Sequence, residues 1–421
     1  MEKPSGSQMR SALPVWLLLL TASILINYID RGNLAVAAPL LQGELHLTNT
    51  EVGVLVTAFF WTYTAILIVS GWIVDRFGAN WVLTAGFALW SLATAATGLV
   101  HGFALLLVTR MILGAGESVA FPSYSKLIAL NVPQRHRGIA NAMIISGMGL
   151  GPAAGTYLCG TAMAHHGWRP VFVVIGLVSL LWLLPWVRFM PANSMPRAHA
   201  AAPGVSTLRV LRERNFWAAA VGQFGSNYPF YFLIVWLPLY LVRERGLTMQ
   251  QMAKETALLF VAYAVVSLIV GSSADTLIRR GFGVTLVRKA SMAIGHTVAA
   301  CGVLACNSAN ARVSCAGLML AGVGMAFVGP NVYVFAQTLA GPSMAGKWTG
   351  LQTCVGNLAG VVVGPLTGWI VDRTGHFALA FSLCAGVAVF GGICWVVVVG
   401  QLEQTDWLKP PALATVASEA T

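Results

Sequence analysis

Apolar residues run through this chain in blocks of about 20, each long enough to cross roughly 30 Å of hydrocarbon as a helix, with polar residues gathered between them. Twelve blocks can be counted, near 13–37, 50–74, 80–100, 103–128, 138–162, 168–189, 216–242, 252–274, 284–306, 313–337, 347–371 and 377–400. The pattern predicts an all-α polytopic membrane protein. Composition agrees: 57% of residues are hydrophobic and 9% charged, against roughly 25% charged in a soluble domain. A water-soluble fold of this size has no interior large enough to hide that apolar surface.

The formal charge of +11 raises the question of nucleic acid, and the placement of the basic residues answers it. With the N-terminus in the cytoplasm, 17 of the 25 Lys and Arg fall in cytoplasmic segments, 6 fall outside and 2 lie within spans. That is the positive-inside bias of a membrane protein, so no nucleic acid is expected and both termini are expected in the cytoplasm. The densest cluster (Arg188, Arg197, Arg209, Arg212, Arg214) lies between the sixth and seventh spans beside Pro191, Pro196 and Pro203. It divides the chain into an N-terminal six-helix bundle (1–190), a cytoplasmic linker (191–214), a C-terminal six-helix bundle (215–401) and a cytoplasmic tail (402–421). Lys3, Arg10 and Ala35-Val36-Ala37 resemble parts of a signal peptide, but the apolar run is long and Asp30-Arg31 precedes the cleavage-like site. The first helix is expected to stay. The seven Cys match no metal spacing and read as small packing residues.

The halves repeat. Asn27-Tyr28 recurs as Asn227-Tyr228, and Gly71-x-x-x-Asp75 as Gly271-x-x-x-Asp275, both 200 residues on. Gly114-x-Gly116 with Pro122 recurs as Gly322-x-Gly324 with Pro330, and Gly151-Pro152-x-x-Gly155 as Gly364-Pro365-x-x-Gly368. Four matches in order argue for a duplicated six-helix unit, and two such units imply a cavity between them. Parallel repeats with substrate held near the midplane characterise one large class of transporters.

Charge inside the membrane is expensive and marks function. Asp30 and Arg31 lie in the first span, Arg110 and Glu117 in the fourth, where two turns put the latter pair on one face. Their counterparts in the second half are Phe230 for Asp30 and Met325 for Glu117, so the ionisable chemistry is confined to the first half. Two salt bridges that merely pin the spans together are one reading. The other is charge coupling: with both carboxylates ionised the group is neutral, and protonating either leaves +1, ready to hold one carboxylate in an arginine fork. Proton and anion then bind cooperatively. No nucleophile triad, metal cluster or phosphate loop points to an enzyme, and no cofactor is expected beyond the coupling proton.

Gly71-x-x-x-Asp75-Arg76-x-Gly78 resembles the loop motif of the major facilitator superfamily, although the basic residue usual two places later is Asn80 here. That likeness implies twelve spans in two pseudo-symmetric halves, with Gly71, Asp75, Arg76, Gly78 and the repeated Asp275 gating the cytoplasmic side. Asn27-Tyr28-Ile29-Asp30-Arg31-Gly32-Asn33-Leu34, Trp61-Thr62-Tyr63, Arg110-x6-Glu117-x3-Phe121-Pro122, Trp236-Leu237-Pro238 and Gly346-Lys347-Trp348-x-Gly350-Leu351-Gln352 are similar to the anion:cation symporter family. Its members carry galactonate, hexuronates, glucarate and other organic acids, and include the vesicular glutamate and sialic acid transporters. The resemblance implies that Asp30 and Glu117 take the protons, that Arg31 and Arg110 manage the anion, and that Tyr63 lines the cavity. Asn357 matches a polar cavity position of the aldonate carriers. Where galactonate-type carriers have an amide, this chain has Met148 after Ser146-Gly147, which favours a less hydroxylated carboxylate.

Tyr28, Asn227, Tyr228, Tyr231, Tyr333 and Gln352 are further candidate substrate contacts, with interhelical hydrogen bonding as the alternative for each. His296 reads as a packing residue and Lys126 is expected to snorkel. The expected function is proton-coupled uptake of a small organic anion, such as a sugar acid or other monocarboxylate, across a bacterial inner membrane by a lipid-embedded monomer. The alternative is a proton-driven efflux antiporter of drugs or metabolites, suggested by Gly147-x-x-x-Gly151-Pro152-x-x-Gly155 and opposed by ordinary small-residue packing.

Overall fold

The computed structural model describes residues 14–47, 49–192, 206–308 and 310–407, and among these there is no strand. The first half comprises α1 (Val15–Leu45), α2 (Asn49–Phe77), α3 (Ala79–Leu99), α4 (Phe103–Glu117), α5 (Ala120–Asn131), α6 (Arg137–His166), α7 (Trp168–Leu180) and α8 (Leu183–Phe189). A short α9 (Thr207–Leu211) lies in the linker. The second half comprises α10 (Arg214–Arg243), α11 (Met249–Arg279), α12 (Val284–Ala305), α13 (Ala311–Thr374) and α14 (Ala378–Ile393). The middle of the linker and the tail from residue 408 lie outside the described residues.

Nine stretches among the described residues are long and apolar enough to cross a membrane. One of them, within α13, holds two spans, because the helix changes direction at Gly341, whose φ of 67° suits glycine alone. α10 and α12 complete the twelve; Gln223, Ser226 and Asn227 in one and Arg288, Lys289 and His296 in the other make them too polar to be counted on hydropathy alone. The fourth span is α4 and α5 in series, and the sixth is α7 and α8.

Each half has its own apolar core, around Phe87, Trp90 and Trp182 in the first and Phe232, Tyr240 and Phe381 in the second. Small residues set the closest helix approaches, as expected where lipid supplies no hydrophobic drive between helices. A Cβ added at Gly147 would lie 2.5 Å from Ile24 Cγ2, and one at Gly151 would lie 2.6 Å from Tyr28 Cβ. The glycine run of the fifth span is therefore the bed on which α1 lies, and it fixes the stretch of α1 that carries the charges. The halves meet through α2 against the second arm of α13 and through α6 against α11, at the end of the bundle from which the linker departs. There Gly71 lies against Gly346 and Gly271 against Gly138, where an added Cβ would meet backbone oxygen at 2.3 and 2.6 Å.

Candidate functional site

The two intramembrane pairs converge, but not as two matched salt bridges. Arg31 Nε donates to Glu117 Oε2 at 2.6 Å, joining α1 to the end of α4. The same guanidinium lies over three rings, 4.7 Å from the centroid of Tyr28, 4.8 Å from Phe59 and 4.7 Å from Tyr63. Its Nη2 is buried without a partner, as is Glu117 Oε1. Asp30, one residue earlier, looks the other way, into the first half. It is 1% exposed, has Arg110, Glu117 and Thr94 as neighbours, and neither of its oxygens has a hydrogen-bond partner. Arg110 is also buried, with Phe59 5.7 Å from its guanidinium carbon. One pair is thus made and the other is not. A site built only to pin helices would satisfy both carboxylates, because an unpartnered buried charge is strongly destabilising.

The second half meets this cluster with a tyrosine and two asparagines. Asn357 Oδ1 accepts from Tyr231 Oη at 2.7 Å and from Asn227 Nδ2 at 3.4 Å, and Tyr63 lies beside Asn357 across the interface. Phe60 meets Tyr231 edge-on at 6.3 Å, and Phe121 stacks on Tyr333 at 5.0 Å, each pair bridging the halves. Two sequence candidates are placed elsewhere. Gln352 is buried with both amide ends occupied, donating to Gln223 Oε1 at 2.8 Å and accepting from Trp348 Nε1 at 2.7 Å. Tyr228 enters the core of the second half, where Cys384 and Thr367 are its neighbours. Phe59 and Phe60 were missed, because nothing sets two phenylalanines apart inside an apolar run. His296 is held by Ser226 Oγ at 3.1 Å and Met292 O at 3.0 Å.

Closure at the linker end rests on two related carboxylates. Asp75 accepts from the backbone N of Lys347 at 2.8 Å and from Lys126 Nζ at 2.7 Å. Lys126 does not snorkel: it is fully buried, its charge is met by Asp75 within the first half, and it also donates to Ser343 O across the interface. Arg76, expected beside Asp75 in the lock, is exposed; one position past a buried helix face, its side chain points outward. Gly78 has a φ of 88° and starts α3, and Asn80 donates to Pro191 O at 2.7 Å, fastening the head of the linker. In the repeat, Asp275 accepts from Gly138 N at 3.1 Å, Ile139 N at 2.8 Å and Arg288 Nη2 at 2.5 Å. It thereby caps the N-terminus of α6, where a negative charge is favoured. Asn141 and Gln337 add a reciprocal amide pair at 3.0 Å between the halves.

Comparison with known proteins places this arrangement. The Major Facilitator Superfamily profile matches residues 20–364. The chain is 28% identical over 398 residues to the hexuronate transporter of Bacillus subtilis, covering 91% of this chain and 94% of that one. It is 27% identical over 414 residues to the D-galactonate transporter of Escherichia coli, covering 92% and 96%. The structure of the proton:xylose symporter XylE overlays with a TM-score of 0.75 at 16% identity, over 92% of this chain and 96% of that one. These relatives fit the resemblance to the anion:cation symporters. With twelve spans in two repeated halves and a profile match over most of its length, the chain belongs to the major facilitator superfamily and is a multi-pass membrane transporter, not an enzyme.

Proposed function

We propose that the protein is a proton-coupled symporter that takes up a small organic anion by alternating access. The membrane is the bacterial inner membrane, both termini are cytoplasmic, and the working unit is one chain, since the closure at the linker end and the charge cluster lie within it. The observation that carries this reading is the uneven state of the two carboxylates. Asp30 is buried without a hydrogen-bond partner while Glu117 holds Arg31. Asp30 and Arg110, opposite charges buried beside each other, cancel, whereas Glu117, which holds the guanidinium enclosed by Tyr28, Phe59 and Tyr63, competes with an incoming anion for it.

The cycle follows from charge. With Glu117 ionised, Arg31 is satisfied and the empty cleft is neutral. A proton on Glu117 frees the Arg31 fork, a substrate carboxylate takes its place, and the loaded cleft is neutral again. An anion without a proton leaves net negative charge in a buried cleft, and a proton without an anion leaves net positive charge. Both intermediates disfavour closure, so proton and anion cross together. The relatives that move hexuronate and galactonate support a carboxylate as cargo, and the excess of basic residues on the linker side supports the orientation. Uptake of an organic acid into proteoliposomes that rises with an imposed inward proton gradient tests the reading, and uptake indifferent to that gradient overturns it. The glycine-proline run of the fifth span is occupied in seating α1, so no observation favours the efflux alternative.

A further inference from the structure

Resting on the anion-carrier reading, we infer that the cleft selects monoanions with a planar apolar body, aromatic monocarboxylates foremost, over dianions and polyhydroxylated acids.

The charge argument counts cations that can reach the cargo. Among the described residues, Arg31 is the guanidinium that lies within the aromatic enclosure. Arg110 sits behind Phe59, 4% exposed, beside Asp30. The cations at the linker end are committed: Lys126 to Asp75, Arg288 to Asp275, and Arg137 to Ala129 O and Val132 O. The repeat offers Phe230 and Met325 where the first half has its carboxylates, and His296 is engaged with Ser226 and Met292. When Glu117 is protonated, the cleft therefore carries a single positive charge. A second carboxylate on the cargo would be buried without a counter-charge, which low-dielectric surroundings punish.

The argument about the body of the cargo counts donors and acceptors. A polyol needs amides or charged groups free to bind its hydroxyls, and a site whose polar groups already bond one another gives it none without breaking those bonds. Here Asn357 Oδ1 serves two donors and Gln352 is paired at both ends, which leaves the unpartnered Asn27 amide beside Glu117 to meet the several hydroxyls of a sugar acid. Around Arg31 stand aromatic faces instead: Tyr28, Phe59 and Tyr63, then Phe60 with Tyr231. A flat ring fits such walls by edge-to-face and offset contact, which requires no donor.

Purified protein is tested by thermal shift and by competition for counterflow, above the second ionisation of terephthalate, against 4-hydroxybenzoate, terephthalate and D-galactonate. The expected result is half-saturation by 4-hydroxybenzoate at a concentration lower by about tenfold or more than for the other two, a difference of roughly 1.4 kcal/mol or more. Phe60→Leu, which keeps an apolar side chain and removes the ring, should weaken 4-hydroxybenzoate more than D-galactonate, narrowing the ratio. Terephthalate binding as tightly as 4-hydroxybenzoate overturns the single-charge argument. D-galactonate binding as tightly or more so, or no response to 4-hydroxybenzoate, overturns the argument about the body. Those failures leave the carrier reading standing if another organic acid drives proton entry; binding of all three acids unaltered by Arg31→Gln defeats the carrier site itself.

Discussion

Replacing Glu117 by Gln removes one negative charge and preserves shape. Glu117 is fully buried and receives Arg31 Nε at 2.6 Å. Deleting one member of a buried pair outright costs about 3–5 kcal/mol, because the survivor is left as an uncompensated charge. Gln limits that loss, since its carbonyl can still accept from Arg31, and a hydrogen bond to a charged group contributes about 1.5–3 kcal/mol. The variant should fold. Its transport should change in kind: Arg31 is permanently open to an anion, and no proton need arrive first. If one proton accompanies each monoanion, each pH unit is equivalent to about 1.4 kcal/mol, so a gradient of about two units drives roughly hundredfold accumulation in wild-type proteoliposomes. In Glu117→Gln the same gradient should give equilibration only, while counterflow exchange at equal pH continues. Accumulation by the variant that matches wild type under the same gradient would refute the assignment of Glu117.

The gate yields further expectations. In Gly71→Val the new Cβ meets Gly346 O, a backbone atom unable to swing aside; overpacking of this kind costs about 1–3 kcal/mol, a shift of roughly 5- to 150-fold against the closed linker end. Cys354, whose Sγ donates to Thr64 O in the same seam, is a native reporter, and its maleimide labelling, located by mass spectrometry, should rise. Asp275→Asn strands the fully buried Arg288 and should lower the melting temperature in detergent by several degrees, reflecting a loss of about 3–5 kcal/mol; an unchanged melting curve contradicts the lock. At the opposite end of the bundle, beyond the apolar part of α1, the hydrogen bonds from Arg169 and then Trp168 hold the Glu44 carboxyl below the usual carboxylate range. A group with a lowered folded-state pKa stabilises above its unfolded pKa and loses that contribution as pH falls through the folded value. Glu44→Gln should therefore melt slightly below wild type at neutral pH, and the two curves should merge in acid.

The spans were legible because lipid demands long apolar runs, and the repeat made even the polar seventh and ninth readable by analogy with their partners. The charged motif was legible too, since Asp30, Arg31, Arg110 and Glu117 stand out against an apolar background. What the text of the chain hides is direction. Asp30 and Arg31 are neighbours in sequence, yet adjacent helical residues point about 100° apart, so one looks into the first half and the other into the interface. Gln352 and Tyr228 show the same limit: their residue types suit a cavity, but which face of a helix is the cavity face depends on the neighbouring helices. Lys126 carried a signal, a charge in an apolar span, whose meaning emerged only when Asp75 and Ser343 were brought to it from spans far apart in sequence. Arg76 carried the motif's letter without its contact, and Phe59 and Phe60 carried no signal at all.

The central claim is that anion and proton move in the same direction on one chain. A pH-sensitive dye trapped in proteoliposomes reads this directly when an organic acid that binds the purified protein is added outside at equal starting pH. The account predicts acidification of the lumen that tracks entry of the labelled anion and vanishes in Glu117→Gln. Anion entry with no pH change, or with alkalinisation as an antiporter would give, contradicts it.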